Sequence, residues 1–321
     1  MDLIILILTH AGLFIYKNIL RPGVWSDALQ QDNYLGYVLA LKSGHFSQFL
    51  SYDNSRLFPG LPFLMLVGGL ITGLLLTLIS LLVIYKVSLS LTKNSWYSLI
   101  LTLFPPVVFE QTSKISTEAV TIALILSAYW LAGRKKYYLM SALLGYATLV
   151  RPISGCLFLA ALFFMKSWKT KIKSAILYFV FPIMLLIFNV YHWGWSASFH
   201  QLQVYQTIGR SNLVVYQLAA DIVRTVDWRQ WRILFSGLIY VFGYVWLLVK
   251  TLRLKHNQLV KTWAILTTIF IFSLGPTPVL EEIRRFMAIF FPLALLVNYQ
   301  YLSRKKLFFY GAFFTALMAF I

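Results

Sequence analysis

The chain has 321 residues, of which 60% are hydrophobic and only 12% charged, a balance that excludes an ordinary soluble domain. Its net charge of +18 would suggest nucleic acid in a soluble protein. Here the basic residues stand in short connections that membrane topology accounts for, so nucleic acid is not an expected partner.

Apolar segments run at about 3–20, 58–85, 95–109, 117–133, 138–150, 153–165, 175–192, 233–249, 262–278, 286–302 and 307–321. Crossing a hydrocarbon core of roughly 30 Å takes about 20 helical residues. Lipid offers backbone groups no hydrogen-bond partner, so such segments must be helices. The sequence therefore predicts an all-α polytopic membrane protein, one domain over 1–321 with about eleven transmembrane or half-membrane helices. The first segment lacks a basic n-region and a small-residue cleavage site, and reads as a retained anchor. Segments 138–150 and 153–165 are short enough to be half-helices meeting near Arg151 and Pro152.

Connections carrying Lys86 and Lys93, Arg134 to Lys136, Lys166 to Lys173, Lys250 to Lys261 and Arg304 to Lys306 hold 16 of the 28 basic residues. The positive-inside rule makes them cytoplasmic, with the amino terminus on the same side. Nine of the ten acidic residues, all but Asp2, then fall outside. The long connections 21–57 and 193–232 also fall outside, and long loops are where function usually sits.

In the first of these loops, "DNYLGYVLALKSGHF" repeats Tyr34, Tyr37, Val38 and Leu41 at helical spacing, opposite Gly36 and Lys42. That pattern predicts a helix lying on the outer membrane surface, with Asp32 at its start and Asp27 five residues earlier. At the loop's end, "DNSRLFPGLP" sets Asp53 and Arg56 beside a proline-punctuated entry into the membrane. Further on, "EQTSKISTE" carries Glu110, Lys114 and Glu118 beside Pro105 and Pro106, and Arg151 interrupts the apolar "ATLVRPISG". A cation at membrane depth is costly enough that it normally faces a cavity or a partner. "EEIRRFMAIFFPLALL" places Glu281, Glu282, Arg284 and Arg285 at the outer end of a late span. Singly, each of these charges has a plain explanation as a cap, a solvated loop residue or a snorkelling side chain. Together they outline an outward-facing polar cavity. The only cysteine, Cys156, excludes an internal disulfide, and the five histidines show neither paired zinc spacing nor partner cysteines.

The order of these elements resembles the GT-C superfamily of integral-membrane glycosyltransferases, and most closely its PIG-V-like mannosyltransferases. The elements are an acidic first outer loop with a surface helix, "FPGLP" opening the second span, "STEAVTIALILSAYWLAGRKKYYLMSALLGYATLVRPISG", and "RRFMAIFFPLALL". The resemblance implies transfer of a sugar, mannose at the family level, from a polyprenyl phosphate to an acceptor hydroxyl on a lipid, glycan or protein. It also implies an aspartate of the first loop as base. Spacing to Tyr37, Ala40 and Gly44 favours Asp32 for that role, whereas Trp25 just upstream favours Asp27; because it begins the amphipathic stretch, which would hold its carboxylate in place, Asp32 is the expected base. A divalent metal remains open, and no other cofactor is expected.

The chemistry agrees with the resemblance. An enzyme facing outward has no nucleotide sugar, so a lipid-borne donor is expected, and its phosphate needs cations. Arginine suits phosphate because its planar fork donates two parallel hydrogen bonds. Arg56, Arg151, Arg284 and Arg285 are the expected phosphate ligands, with Lys114 next, and Asp53 and Glu118 complete the expected substrate-binding set. One carboxylate suffices for an inverting displacement, since a phosphate leaving group hardly needs protonation. The alternatives are a multi-pass transporter or flippase, which also holds charges in the membrane, and a noncatalytic subunit of a membrane complex. Charges gathered at the outer ends and two long outer loops favour the enzyme.

Overall fold

The computed structural model describes residues 2–15, 27–45, 60–103, 117–198, 241–255, 257–273, 280–303 and 305. Among the described residues the chain is helical, with turns and no strand. In chain order the helices are α1 (Asp2–Ile15), α2 (Asp27–Ser43), α3 (Gly60–Met65), α4 (Gly69–Thr92), α5 (Ser95–Leu103), α6 (Thr117–Gly133) and α7 (Tyr137–Val150). A 3-10 turn (Pro152–Ser154) then leads to α8 (Gly155–Phe164), α9 (Trp168–Ser198), α10 (Val241–Leu252), α11 (Gln258–Ser273) and α12 (Leu280–Val297).

Among the described residues two helices are long and apolar enough to cross a bilayer. The stretch Ile71–Thr92 of α4 has 22 residues and Trp168–Tyr191 of α9 has 24, or about 33 and 36 Å at 1.5 Å per residue. Several other apolar helices, α6, α7, α10 and α11 among them, are shorter.

The boundaries differ from the apolar segments where glycine and lysine intervene. Segment 58–85 is divided into α3 and α4, because Gly69 takes a left-handed φ of 53° that interrupts the helix. α9 starts at Trp168, seven residues before its apolar stretch, so Lys169, Lys171 and Lys173 occupy its first two turns. Lysine is a good helix former, and hydropathy alone places the boundary too late.

The first-loop helix also differs. α2 opens at Asp27 and not at Asp32, which brings Asp27 to the positive end of the helix dipole. Its Tyr34, Tyr37 and Val38 are buried, and their partners are protein: Leu61 and Met65 of α3, Val120 and Val150 for Tyr34 and Val38, and Phe188 of α9 for Tyr37. The stripe that predicted a helix resting on lipid therefore docks it onto the bundle.

A central core of α6, α7, α8, α10, α11 and α12 holds the bundle together. At its middle the rings of Trp263 and Phe290 stack with centroids 5.0 Å apart, and Tyr244 leans on Phe290. α7 and α9 approach so closely that a Cβ at Gly145 would stand 2.5 Å from the Tyr178 carbonyl oxygen.

Hydrogen bonds gather one set of helix ends. Asp2 accepts from Ser95 and from Tyr85 (2.7 Å), and Tyr97 donates to the Leu295 carbonyl (2.9 Å). Asn298 donates to Thr251 (3.0 Å), and Asn257 to the Tyr129 hydroxyl (2.7 Å). The turns at Lys93, Arg134 to Lys136 and Arg253 to Asn257 thus share one end of the bundle with the amino-terminal helix. These turns lie in three of the five basic connections that the charge pattern groups on one side.

Candidate functional site

The opposite end of the α6–α7 hairpin carries the site. α7 stops at Val150 because Pro152 disfavours helical backbone in the residue before it. Arg151 is accordingly extended (φ −151°, ψ 124°), while its own N–H still closes the last turn on the Ala147 carbonyl at 2.8 Å. That break turns its side chain toward the first turn of α6.

There Arg151 Nε donates to Thr117 Oγ1 at 2.8 Å, and its Nη2 forms an ion pair with Glu118 Oε1. Thr117 in turn donates to Glu118 Oε2 at 3.3 Å. Glu118 is wholly buried, whereas Arg151 keeps 16% of its side chain exposed. Glu118 suits this position twice over, as partner of the guanidinium and as an anion at a helix amino end. The bonds to Thr117 and Glu118 use two of the five N–H groups of the guanidinium. The charge pair is neutral as a whole, and its accessible part is the cation.

The described part of "FPGLP", from Gly60 on, packs against the end of α7, just before Arg151. Gly60 lies so close to the α7 terminus that a Cβ would stand 2.7 Å from the Leu149 carbonyl carbon and from the Val150 nitrogen. The Tyr146 hydroxyl donates to the Gly60 carbonyl, latching α3 to α7 about one and a half turns before Arg151. Leu61, Met65, Val120 and Val150 then form one small core with Tyr34 and Val38 of α2. Four segments far apart in sequence, α2, α3, the start of α6 and the end of α7, converge here.

Of the expected site residues, Glu118 and Arg151 are brought together. Asp27 and Asp32 both lie on α2, and Arg284 and Arg285 lie on α12; their side chains fall outside the described residues. Asp53, Arg56 and Lys114 lie outside the described residues altogether. Thr117, Gly60 and Tyr146 were missed as individual site residues. Thr117 sits within the "STE" motif and Gly60 within "FPGLP", so motif membership was the available signal; Tyr146 had none. Among the described residues no group of three His, Cys, Asp or Glu side chains could hold a metal ion. Cys156 is buried in α8.

Compared with protein-family models, with curated proteins and with solved structures, the chain finds no match.

Proposed function

We propose that the protein is a membrane glycosyltransferase of the GT-C type, moving a sugar from a polyprenyl-phosphate donor to an acceptor hydroxyl on the extracytoplasmic side. The observation that carries this reading is the Glu118–Arg151 pair at the hairpin end opposite the basic turn Arg134 to Lys136. By the positive-inside rule the basic turn is cytoplasmic, which makes the pair outward-facing. α7 has 14 residues, about 21 Å against a core of roughly 30 Å. Arg151 then lies in the outer half of the membrane, within reach of a lipid phosphate just below headgroup level.

In the proposed reaction Arg151 receives the donor phosphate on the N–H groups that Thr117 and Glu118 do not use, while Glu118 keeps the guanidinium oriented. A first-loop aspartate takes the proton from the acceptor hydroxyl as its oxygen attacks the anomeric carbon. The bond from that carbon to the phosphate oxygen breaks, and the polyprenyl phosphate leaves with the electron pair. Configuration inverts because attack and departure occur on opposite faces. Arg56, Arg284, Arg285 and Lys114 are the further candidate phosphate ligands, with Asp53 beside them, and mannose is the proposed sugar. The docking of α2 beside Val150 supports a base on that helix. The threading proposed for the whole chain has about eleven transmembrane or half-membrane helices, with 21–57 and 193–232 outside.

One observation favours a transporter or flippase as second reading: α7 and α8 are a broken helix pair with a charge at the break, as in many transporters. Incubating the purified protein with a panel of polyprenyl-phosphate sugars, and following release of the lipid phosphate, tests the first reading. No release with any donor, together with lipid movement across reconstituted vesicles, would replace it with the second. Neither activity, with normal assembly of a larger complex after both Asp27 and Asp32 are replaced, would indicate a noncatalytic subunit.

A further inference from the structure

We propose that the basic end of α7 and α9 is a binding surface for the headgroups of anionic phospholipids. The inference rests on α9 crossing the membrane and not on the transfer reaction. The turn Arg134 to Lys136 opens α7, and Lys166, Lys169, Lys171 and Lys173 surround the start of α9. No acidic residue occurs between Glu118 and Asp221.

The close approach of Gly145 to Tyr178 sets these two groups side by side. Tyr137 lies eight residues before Gly145 and Thr170 eight before Tyr178, about 12 Å in each case. Tyr178 packs against Gly145 of α7 and stacks on Phe158 of α8, so the chain doubles back at 151–154 and again at 165–167, and α7 and α9 advance in the same direction. Both cationic groups therefore stand at one level on neighbouring helices. All seven side chains are exposed except Lys171, which is half-buried. Arg134 lies over the Trp130 ring at 3.8 Å, which keeps its charge at this level. Among the described residues the carboxylate at this end of the bundle is Asp2, and it is engaged by Tyr85 and Ser95 on α4 and α5.

The surface just below the charges is apolar and uncovered. Trp168 is 72% exposed, Phe163 70% and Leu139 59%, and only 11% of the membrane-crossing stretch of α9 is buried within the protein. A soluble anion would use the charges and leave this collar bare. A phospholipid uses both, its phosphate on the lysines and its acyl chains along Leu139 and Phe163. The positive-inside rule asks only for cations on the inner side; their crowding beside one lipid-facing flank is the additional feature.

The test uses the full-length protein in neutral detergent with fluorescent phosphatidylglycerol and phosphatidylcholine of equal chain length. Phosphatidylglycerol should bind at least tenfold more tightly. Each basic residue at an anionic lipid surface contributes about fivefold. The variant Lys166→Gln/Lys169→Gln/Lys173→Gln should therefore lose most of that preference. The control Lys250→Gln/Arg253→Gln/Lys255→Gln, at the end of α10, should stay within about twofold of the parent. Should the first variant unfold, Lys135→Gln/Lys136→Gln replaces it. Equal binding of the two lipids overturns the proposal, as does an equal loss in both variants. Displacement by inorganic phosphate as effective as by unlabelled phosphatidylglycerol would also overturn it, by marking a free-anion site.

Discussion

Glu118 and Arg151 stand at opposite termini of one helical hairpin and close it with an ion pair in which the acid is fully buried and the base partly open. Such a pair gives little net stability when intact, because desolvation offsets the attraction, but breaking it leaves an uncompensated charge. Glu118→Gln or Arg151→Met alone should each destabilise the protein by about 3 kcal/mol in detergent thermal unfolding. The double variant should recover most of that loss, since neither charge then remains. Additive losses in the double variant would show that the two residues are not coupled.

Arg151→Lys tests the geometry and not the charge. An ammonium is a point donor and cannot present both the Nε–H to Thr117 and an Nη–H to Glu118 in one plane. The expected result is stability near that of the parent with donor affinity reduced at least tenfold, read by titration of a polyprenyl-phosphate sugar. Unchanged affinity would remove Arg151 from the phosphate site.

Part of this arrangement was legible in the sequence because a charge in an apolar segment is a strong local signal, and Arg151 carries it, while Glu118 stood out only as one of the charges clustered in "EQTSKISTE". Their pairing was not legible, since it depends on the hairpin bringing residues 33 apart to one end. The break at Arg151 could be read from Pro152, a purely local effect. The burial of Tyr34 and Val38 could be read as a stripe, but the stripe cannot say whether lipid or protein covers it. Here Leu61, Val120 and Val150 do. The start of α9 was misplaced for a related reason: hydropathy registers the lysines, while the backbone responds to their helix propensity.

Close backbone packing gives a contrast among glycines. A Cβ at Gly60 would meet the backbone of Leu149 and Val150 at 2.7 Å, and one at Gly145 the Tyr178 carbonyl at 2.5 Å. Backbone cannot give way as a flexible side chain can, so Gly60→Ala and Gly145→Ala should each cost about 1–3 kcal/mol. Gly12 of α1 has nothing within 4 Å, and Gly12→Ala should be neutral or slightly stabilising. Thermal melting of the three variants in one detergent checks the ranking.

The amino terminus has a pH signature. Hydrogen bonds from Ser95 and then Tyr85 hold the Asp2 carboxyl below its ordinary value. A group whose pKa falls on folding stabilises the native state above its unfolded pKa and loses that effect as pH drops through the folded value. Asp2→Asn should therefore lower the melting temperature slightly at pH 7, and the difference from the parent should shrink as the pH falls below the ordinary carboxylate value of about 3.9. A difference that persisted or grew in acid would contradict the role of the carboxylate.

The base is the last matter the geometry of α2 informs. An α2 opening at Asp32 would have fixed that residue at a helix cap; the helix instead opens at Asp27 and runs through both aspartates. In a helix of 3.6 residues per turn, Asp27 falls in line with Tyr34 and Val38, which dock beside Val120 and Val150. Asp32 falls in line with Leu39 and Ser43, which are exposed. The two positions are about 140° apart around the axis and so belong to different faces of α2, of which the face of Asp27 is the docked one. A base must come within about 2.6–3.2 Å of the acceptor hydroxyl in the reactive complex, which makes position decisive. Asp27→Asn should therefore lower turnover by a factor on the order of 10² to 10⁴ with donor binding nearly unchanged, and Asp32→Asn should do much less. The measurement is single-turnover release of polyprenyl phosphate alongside donor titration for both variants. The reverse ranking would return the base to Asp32, and full activity in both would remove it from this helix.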